Sequence, residues 1–166
     1  MKGKQGIIVI LIIHFLLGGC AAIAEKMDER REKREKEIEE GYEAVKKMVF
    51  SGLYTFTSNS NYLSVNYYDV EVFFPHFGAG DIKNLPGRSH LRINSKLENL
   101  MIEESDIRHR VLVRFTVDTK TDKYMINIDI APNFDANLNI SSSKISTITY
   151  MGKIRPIENE KEEAEK

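Results

Sequence analysis

Three groups of residues in this 166-residue chain have the right types to do chemistry: four histidines, a run of three serines and a pair of adjacent glutamates. His76, His90 and His109 could converge on a zinc ion as three imidazoles, the ligand set of an open catalytic site. No two of them stand at ligand spacing, so neither a metal nor another cofactor is expected. Ser141, Ser142 and Ser143 lack the Gly-x-Ser-x-Gly setting that exposes a nucleophile. Such a run between strands closes a turn, because its hydroxyls bond to nearby backbone. Glu103 and Glu104 would serve glycoside hydrolysis only if their carboxylates faced each other across a cleft, and neighbours along a strand point to opposite faces. Gly78-Ala79-Gly80 and Pro86-Gly87 lack the strand-to-helix context of a phosphate loop. With no nucleophile, base and oxyanion donor in view, the chain is expected not to be an enzyme.

The stretch Val72 to Gly80, VFFPHFGAG, is better suited to binding than to reaction. Phe73, Phe74, His76 and Phe77 crowd around Pro75, and alternation cannot bury them all on one side. Pro75 cannot donate to a ladder, so a strand must end here or lie at an edge. Rings left exposed would form an apolar, partly polar lip for a small apolar or glycan-like ligand, or for a protein partner. The competing expectation is that the rings plug the open end of the sheet layers.

Cys20, the only cysteine, belongs to a different chemistry. Lys2 and Lys4 precede an apolar run from Ile7 to Leu17, broken only by His14, which is the layout of a secretory signal over residues 1–19. A membrane-spanning helix takes roughly 20 apolar residues, more than this run supplies. The run closes in Leu17-Gly18-Gly19-Cys20, which resembles the lipobox of bacterial lipoproteins. That resemblance implies cleavage before Cys20, diacylation of its sulfur and attachment to a membrane outside the cytoplasm, here expected at the periplasmic face of the outer membrane. Two acyl chains hold firmly where one binds reversibly. Lipidation also accounts for an odd cysteine in an exported chain, where thiols otherwise pair.

These residues have to be positioned by the elements around them. A net charge of −1 supplies no field for nucleic acid. Residues 20–49 read as a charged helical spacer: Glu29 with Lys33, Arg31 with Glu35 and Glu32 with Lys36 stand four apart, where helical neighbours attract. Its second half carries Ile38, Tyr42, Val45 and Val49 at helical spacing, a stripe expected to dock on the domain, weakened by Gly41. From residue 50 to 157 the period changes to two. Val111, Val113, Phe115 and Val117 alternate with Leu112, Arg114, Thr116 and Asp118, mostly the pattern of a half-buried strand, and Tyr124, Ile126, Ile128 and Ile130 repeat it more clearly, with a short polar loop at Thr119 to Asp122 between them. Shorter candidates are Leu53 to Thr57, Leu63 to Tyr67, Val70 to Phe74, Ser89 to Ile93, Leu97 to Glu103, Asp135 to Ile140 and Ile145 to Ile154. The expectation is an all-β antiparallel meander of about nine strands, as a sandwich or an open barrel, behind a charged N-terminal helix. Residues 158–166, almost wholly charged, read as a disordered acidic tail.

Within 51–157 the chain resembles a family of exported lipoproteins known as domain of unknown function 4251. The residues that carry the resemblance are Asn61-Tyr62-Leu63-Ser64-Val65, Val72 to Gly78, Phe115-Thr116-Val117 with Tyr124, Ile128 to Pro132, Ala136 to Ser142, and Ile145-Ser146 through to Gly152. His76 stands where that family usually has an aromatic residue. The resemblance implies an exported all-β domain and transfers no catalytic or binding residue.

Overall fold

The structure, a computed structural model, describes residues 2–75 and 90–157, with side chains from Lys26 onward. It divides into two compact units, Met1–Ile38 and Glu39–Lys166. Helix α1 spans Lys2–Ser51. In the first unit the described side chains all face solvent, and Lys33 Nζ lies 3.9 Å from Glu37 Oε1 one turn on. No helix among the described residues is long and apolar enough to cross a membrane. Ile38, expected to begin the docked stripe, is 42% exposed, and the stripe starts instead at Tyr42, with Val45, Met48 and Val49 buried after it.

Among the described residues eight strands follow: β1 Leu53–Ser58, β2 Asn61–Asn66, β3 Asp69–Phe74, β4 Leu91–Ser105, β5 Arg110–Asp118, β6 Lys123–Ile130, β7 Asp135–Ser142 and β8 Ile148–Pro156. Each pairs antiparallel with the next, and β1 pairs with β8, so the sheet closes into a barrel. Alternation decides which face turns inward. Tyr54 and Phe56, Leu63 and Val65, Val111 to Val117 and Tyr124 to Ile130 all send every second side chain into the core. Among the described residues no polar or charged side chain is fully buried. Eight strands enclose a space that side chains can just fill. The outer positions, such as Thr55, Glu71, Arg114, Asn127 and Lys153, are polar, the reverse of a membrane barrel, whose apolar residues face out.

The all-β antiparallel meander behind an N-terminal helix is as expected; the described strands number eight where about nine were expected, and the sheet closes fully where a sandwich or an open barrel was expected. The two candidates expected at Ser89 to Ile93 and Leu97 to Glu103 give one strand, β4, which begins at Leu91; Ser89 lies outside the described residues. Asn94, Ser95 and Lys96 look like a polar break in the sequence, yet Asn94 and Lys96 point out, and Ser95 Oγ donates to the Asp118 carbonyl at 2.9 Å. The register then slips between Glu98 and Met101, where Asn99 takes φ 54°. Such a bulge bends a strand without ending it, and it lets β4 serve β3 with its first half and β5 with its second. Closure depends on Gly152, where a Cβ would meet the Thr57 carbonyl and the Phe56 ring.

Consecutive strands alternate in direction, so the connections fall at two ends. Those at 67–68, 106–109 and 131–134 lie at the end where the helix enters. There Tyr67 N donates to Gly52 O at 2.7 Å, Tyr42 OH donates to Asp106 Oδ1 at 2.9 Å, and Gly41 approaches the Pro132 carbonyl. The segment Glu39–Ser51 therefore closes this end, with Tyr42, Val45, Met48 and Val49 joining the barrel core. The connections at 59–60, 119–122 and 143–147 lie at the other end, where β3 also stops and β4 starts.

Candidate functional site

The helix-free end carries the least settled chemistry in the barrel. β3 brings Phe74 there as its last residue, β2 brings Asn61 as its first, and Tyr150 comes from the start of β8. Phe74 is fully buried, and its ring centroid lies 4.5 Å from that of Tyr150, tilted by 46°. The Tyr62–Phe73 pairing puts Asn61 one step further on, beside Phe74. Asn61 Oδ1 and Tyr150 OH are both buried atoms with no hydrogen-bond partner, the two such side-chain atoms among the described residues. Burial raises the Tyr150 hydroxyl above its usual pKa, so it stays a neutral donor and acceptor. An orphaned polar atom costs about 1–3 kcal/mol. Both atoms are sealed from solvent, and Asn61 and Tyr150 each neighbour Phe74, by strand register and by ring contact.

The expected lip divides across the sheet. Phe74 points into the core and is no part of an exposed surface. Phe73 points outward, half-buried against Tyr62 at 5.9 Å, with the Arg92 guanidinium 5.9 Å from its ring centroid. Tyr62 OH donates to Glu71 Oε1 at 2.6 Å, and this bond, with burial, raises its pKa. His76 and Phe77 lie outside the described residues. A strand puts neighbours on opposite faces, and that separates Phe73 from Phe74.

The chemistry weighed from the sequence resolves into structural roles. His109 Nε2 is 3.1 Å from Glu39 Oε2, with its ring edge-on to Tyr42 at 5.5 Å. His90 is exposed, and no group of three metal-ligating side chains gathers among the described residues. Glu103 pairs with Arg114 at 2.8 Å and Glu104 with Lys46 at 3.3 Å, so each carboxylate faces a cation and not the other. Ser142 Oγ accepts from Lys144 N at 3.1 Å, and Ser143 Oγ donates to Asp122 Oδ1 at 3.2 Å, as turn hydroxyls do. Burial opposes ionisation of Asp122, but hydrogen bonds from Ser142, the Lys123 N–H and Ser143 together hold its carboxyl below the usual range. Cys20 has no described side chain.

On the outer wall, a groove of about 560 Å³ runs over β4 to β7 between Glu103, Arg110, Arg114 and Asp129. Arg110 Nε donates to Asp129 Oδ1 at 2.6 Å. Arg114 pairs with Glu103 at 2.8 Å within the same groove, and Glu104 pairs with Lys46 at 3.3 Å.

Sequence reasoning missed Asn61 and Tyr150. The available signal was parity: with Leu63 and Val65 facing in, Asn61 must face in too, and a polar residue at an inward position asks for a partner.

Comparison with known proteins gives the chain its relatives. The sequence model described as Domain of unknown function (DUF4251) matches residues 36–154. A crystal structure of a DUF4251 family protein from Bacteroides eggerthii DSM 20697 is similar with a TM-score of 0.57 at 12% identity, over 70% of this chain and 87% of that one. At that identity the likeness speaks for the fold. No curated protein matches the chain.

Proposed function

From the premise that the chain belongs to the DUF4251 family, whose function is unknown, we propose that it is a non-enzymatic binding module of the cell envelope, anchored by acylated Cys20 and facing the periplasm from the outer membrane. The observation that carries the binding reading is the unpartnered pair Asn61 Oδ1 and Tyr150 OH beside Phe74. An amide oxygen and a hydroxyl next to an aromatic face suit a small, mostly apolar or glycan-like molecule bearing a hydroxyl. The outward face of Phe73, with Tyr62 and Arg92, adds a second aromatic surface close to the same end. The anchor reading rests on the lipobox at Leu17 to Cys20.

A different use of the fold, as an assembly accessory without a ligand, is favoured by the filled interior from Phe56 through Ile154. One experiment separates the two. The full-length protein is extracted gently from its own envelope and weighed in denatured and native states, alongside Tyr150→Phe and Asn61→Leu. Binding predicts an extra native mass in the parent that both variants lose, while the variants gain about 1 kcal/mol of stability because an orphaned polar group has gone. A bare parent mass sinks the binding reading, and a denatured mass without acyl chains sinks the anchor.

A further inference from the structure

The end of the barrel closed by the helix carries a cluster of exposed aromatic rings. Phe50 is 58% exposed, Tyr67 59% and Tyr68 70%. They stand together because α1 ends beside the β2–β3 turn: Tyr67 N donates to Gly52 O at 2.7 Å, and Gly52 lies against the Tyr67 ring. Phe50 falls on the solvent side of the helix, one turn after Lys47, while Val45, Met48 and Val49 face the core. Ile107, in the β4–β5 turn at this same end, is 96% exposed. Tyr67 holds φ 55°, a left-handed conformation that a bulky side chain adopts only when its surroundings impose it. Glycine or asparagine would turn the chain there with less strain, so the ring sits in the turn at a cost.

Tyrosine and phenylalanine with lysine at their border are the residues that settle at a lipid–water interface, with the ring among the acyl chains and the polar tip among the head groups. Lys47 stands one helical turn before Phe50, and Asp69, which follows Tyr68, is paired across the strands with Lys96, so lysines border the rings. We propose that Phe50, Tyr67 and Tyr68 dip into the membrane in which Cys20 is anchored. This inference rests on the anchor reading.

Two observations select a membrane over a protein partner. Counted at their fractional exposures, the three rings offer roughly 350 Å², under half of the about 800 Å² that a stable protein partner covers. A surface held by a tether needs less, because the tether keeps its local concentration near the millimolar range. The chain also enters the barrel at this end, and about 19 residues separate Cys20 from Glu39, a reach of ~28 Å if helical. The aromatic end is thus the end whose entry point lies nearest the anchor along the chain.

The protein contains no tryptophan, so one inserted indole reports alone. The acylated full-length chain carrying Phe50→Trp is placed in vesicles of equal parts phosphatidylethanolamine and phosphatidylglycerol, with and without brominated acyl chains. Thr121→Trp, in the β5–β6 turn at the opposite end, is the matched probe. The expected result is a blue shift and strong bromine quenching for Phe50→Trp, and neither for Thr121→Trp. If the two probes stay equally water-exposed while the denatured mass shows acylated Cys20, the membrane contact is wrong and the anchor stands. A mass without lipid overturns both.

Discussion

Replacing Gly41 with alanine sets two forces against each other, and the structure decides the sign. Glycine inside a helix is worse than alanine by about 1 kcal/mol, so propensity alone favours Gly41→Ala. An added Cβ, however, would lie 3.1 Å from the Pro132 carbonyl carbon and 3.3 Å from its Cβ, and nearer still to its oxygen. The shortfall at the oxygen is roughly 1 Å from ordinary contact. Neither side yields easily: the helix is bound by its own ladder, and the 131–134 turn is closed by Ala131 N to Asp135 O and Phe134 N to Ala131 O, both at 2.9 Å. Overpacking of this kind costs about 1–3 kcal/mol, and two rigid backbones put it near the upper end. The net expectation is a loss of about 2 kcal/mol, or roughly 6 °C in Tm for a domain of this size. Urea and thermal unfolding followed by circular dichroism would measure it. A peptide of residues 26–51 with the same change should gain helicity, since it lacks Pro132. Equal or greater stability of the Gly41→Ala protein would refute the close approach between helix and turn. Pro132→Ala should not rescue the variant, because the nearest obstacle is a backbone oxygen.

Tyr42→Phe keeps the buried ring and removes the bond to Asp106, at an expected cost of about 1 kcal/mol. Burial first, then the Asp106 bond, pushes the Tyr42 hydroxyl from 10.0 up to about 12. Its contribution is therefore whole below pH 10 and drains away as pH rises towards 12, by at most about 1.4 kcal/mol per unit. Base titration of stability should show a shallower fall in Tyr42→Phe, with a remainder from buried Tyr54, whose pKa is also raised. In acid the sign reverses. The lowered pKa of Asp122 stabilises the fold above about pH 4, and that support is lost as pH falls through the native value, so Asp122→Asn should flatten the acid limb of a urea titration. Leu138→Ala, at a fully buried position, should cost about 3 kcal/mol. Met151→Ala, 77% exposed on the neighbouring strand, should stay within about 0.5 kcal/mol of the parent in the same assay.

Alternation made most of the barrel legible. Val111 to Val117 and Tyr124 to Ile130 run at period two, interrupted only by the outward apolar residues Leu112 and Met125, and the four-residue loop between them favours a hairpin. β4 was not legible, because Asn94 to Lys96 reads as a polar break, and the cross-strand bond from Ser95 to the Asp118 carbonyl cannot be read from the segment itself. Closure was hidden for a similar reason: the β1–β8 pairing joins distant segments, and the need for Gly152 within its strand shows only when Phe56 is seen against it. For the candidate site, the sequence pointed through Pro75 to the helix-free end, where β3 stops. It could not divide Phe73 from Phe74 by face, nor reveal Asn61 and Tyr150, since an unmet hydrogen bond is a property of packed surroundings.

The seam between β1 and β8 also sets the order in which the fold can complete. Ser58 Oγ donates to the Met151 carbonyl across 93 residues of chain, and such distant contacts form slowly, because loop entropy is lost before the contact returns anything. As the chain emerges from its N-terminus, β1 can pair with β2 at once but lacks its second neighbour until the last strand arrives. Until then β1 and β7 both present bare backbone to any passing strand. A nascent or threading chain is thus an open ribbon for nearly its whole length, and the step that seals it is the final one.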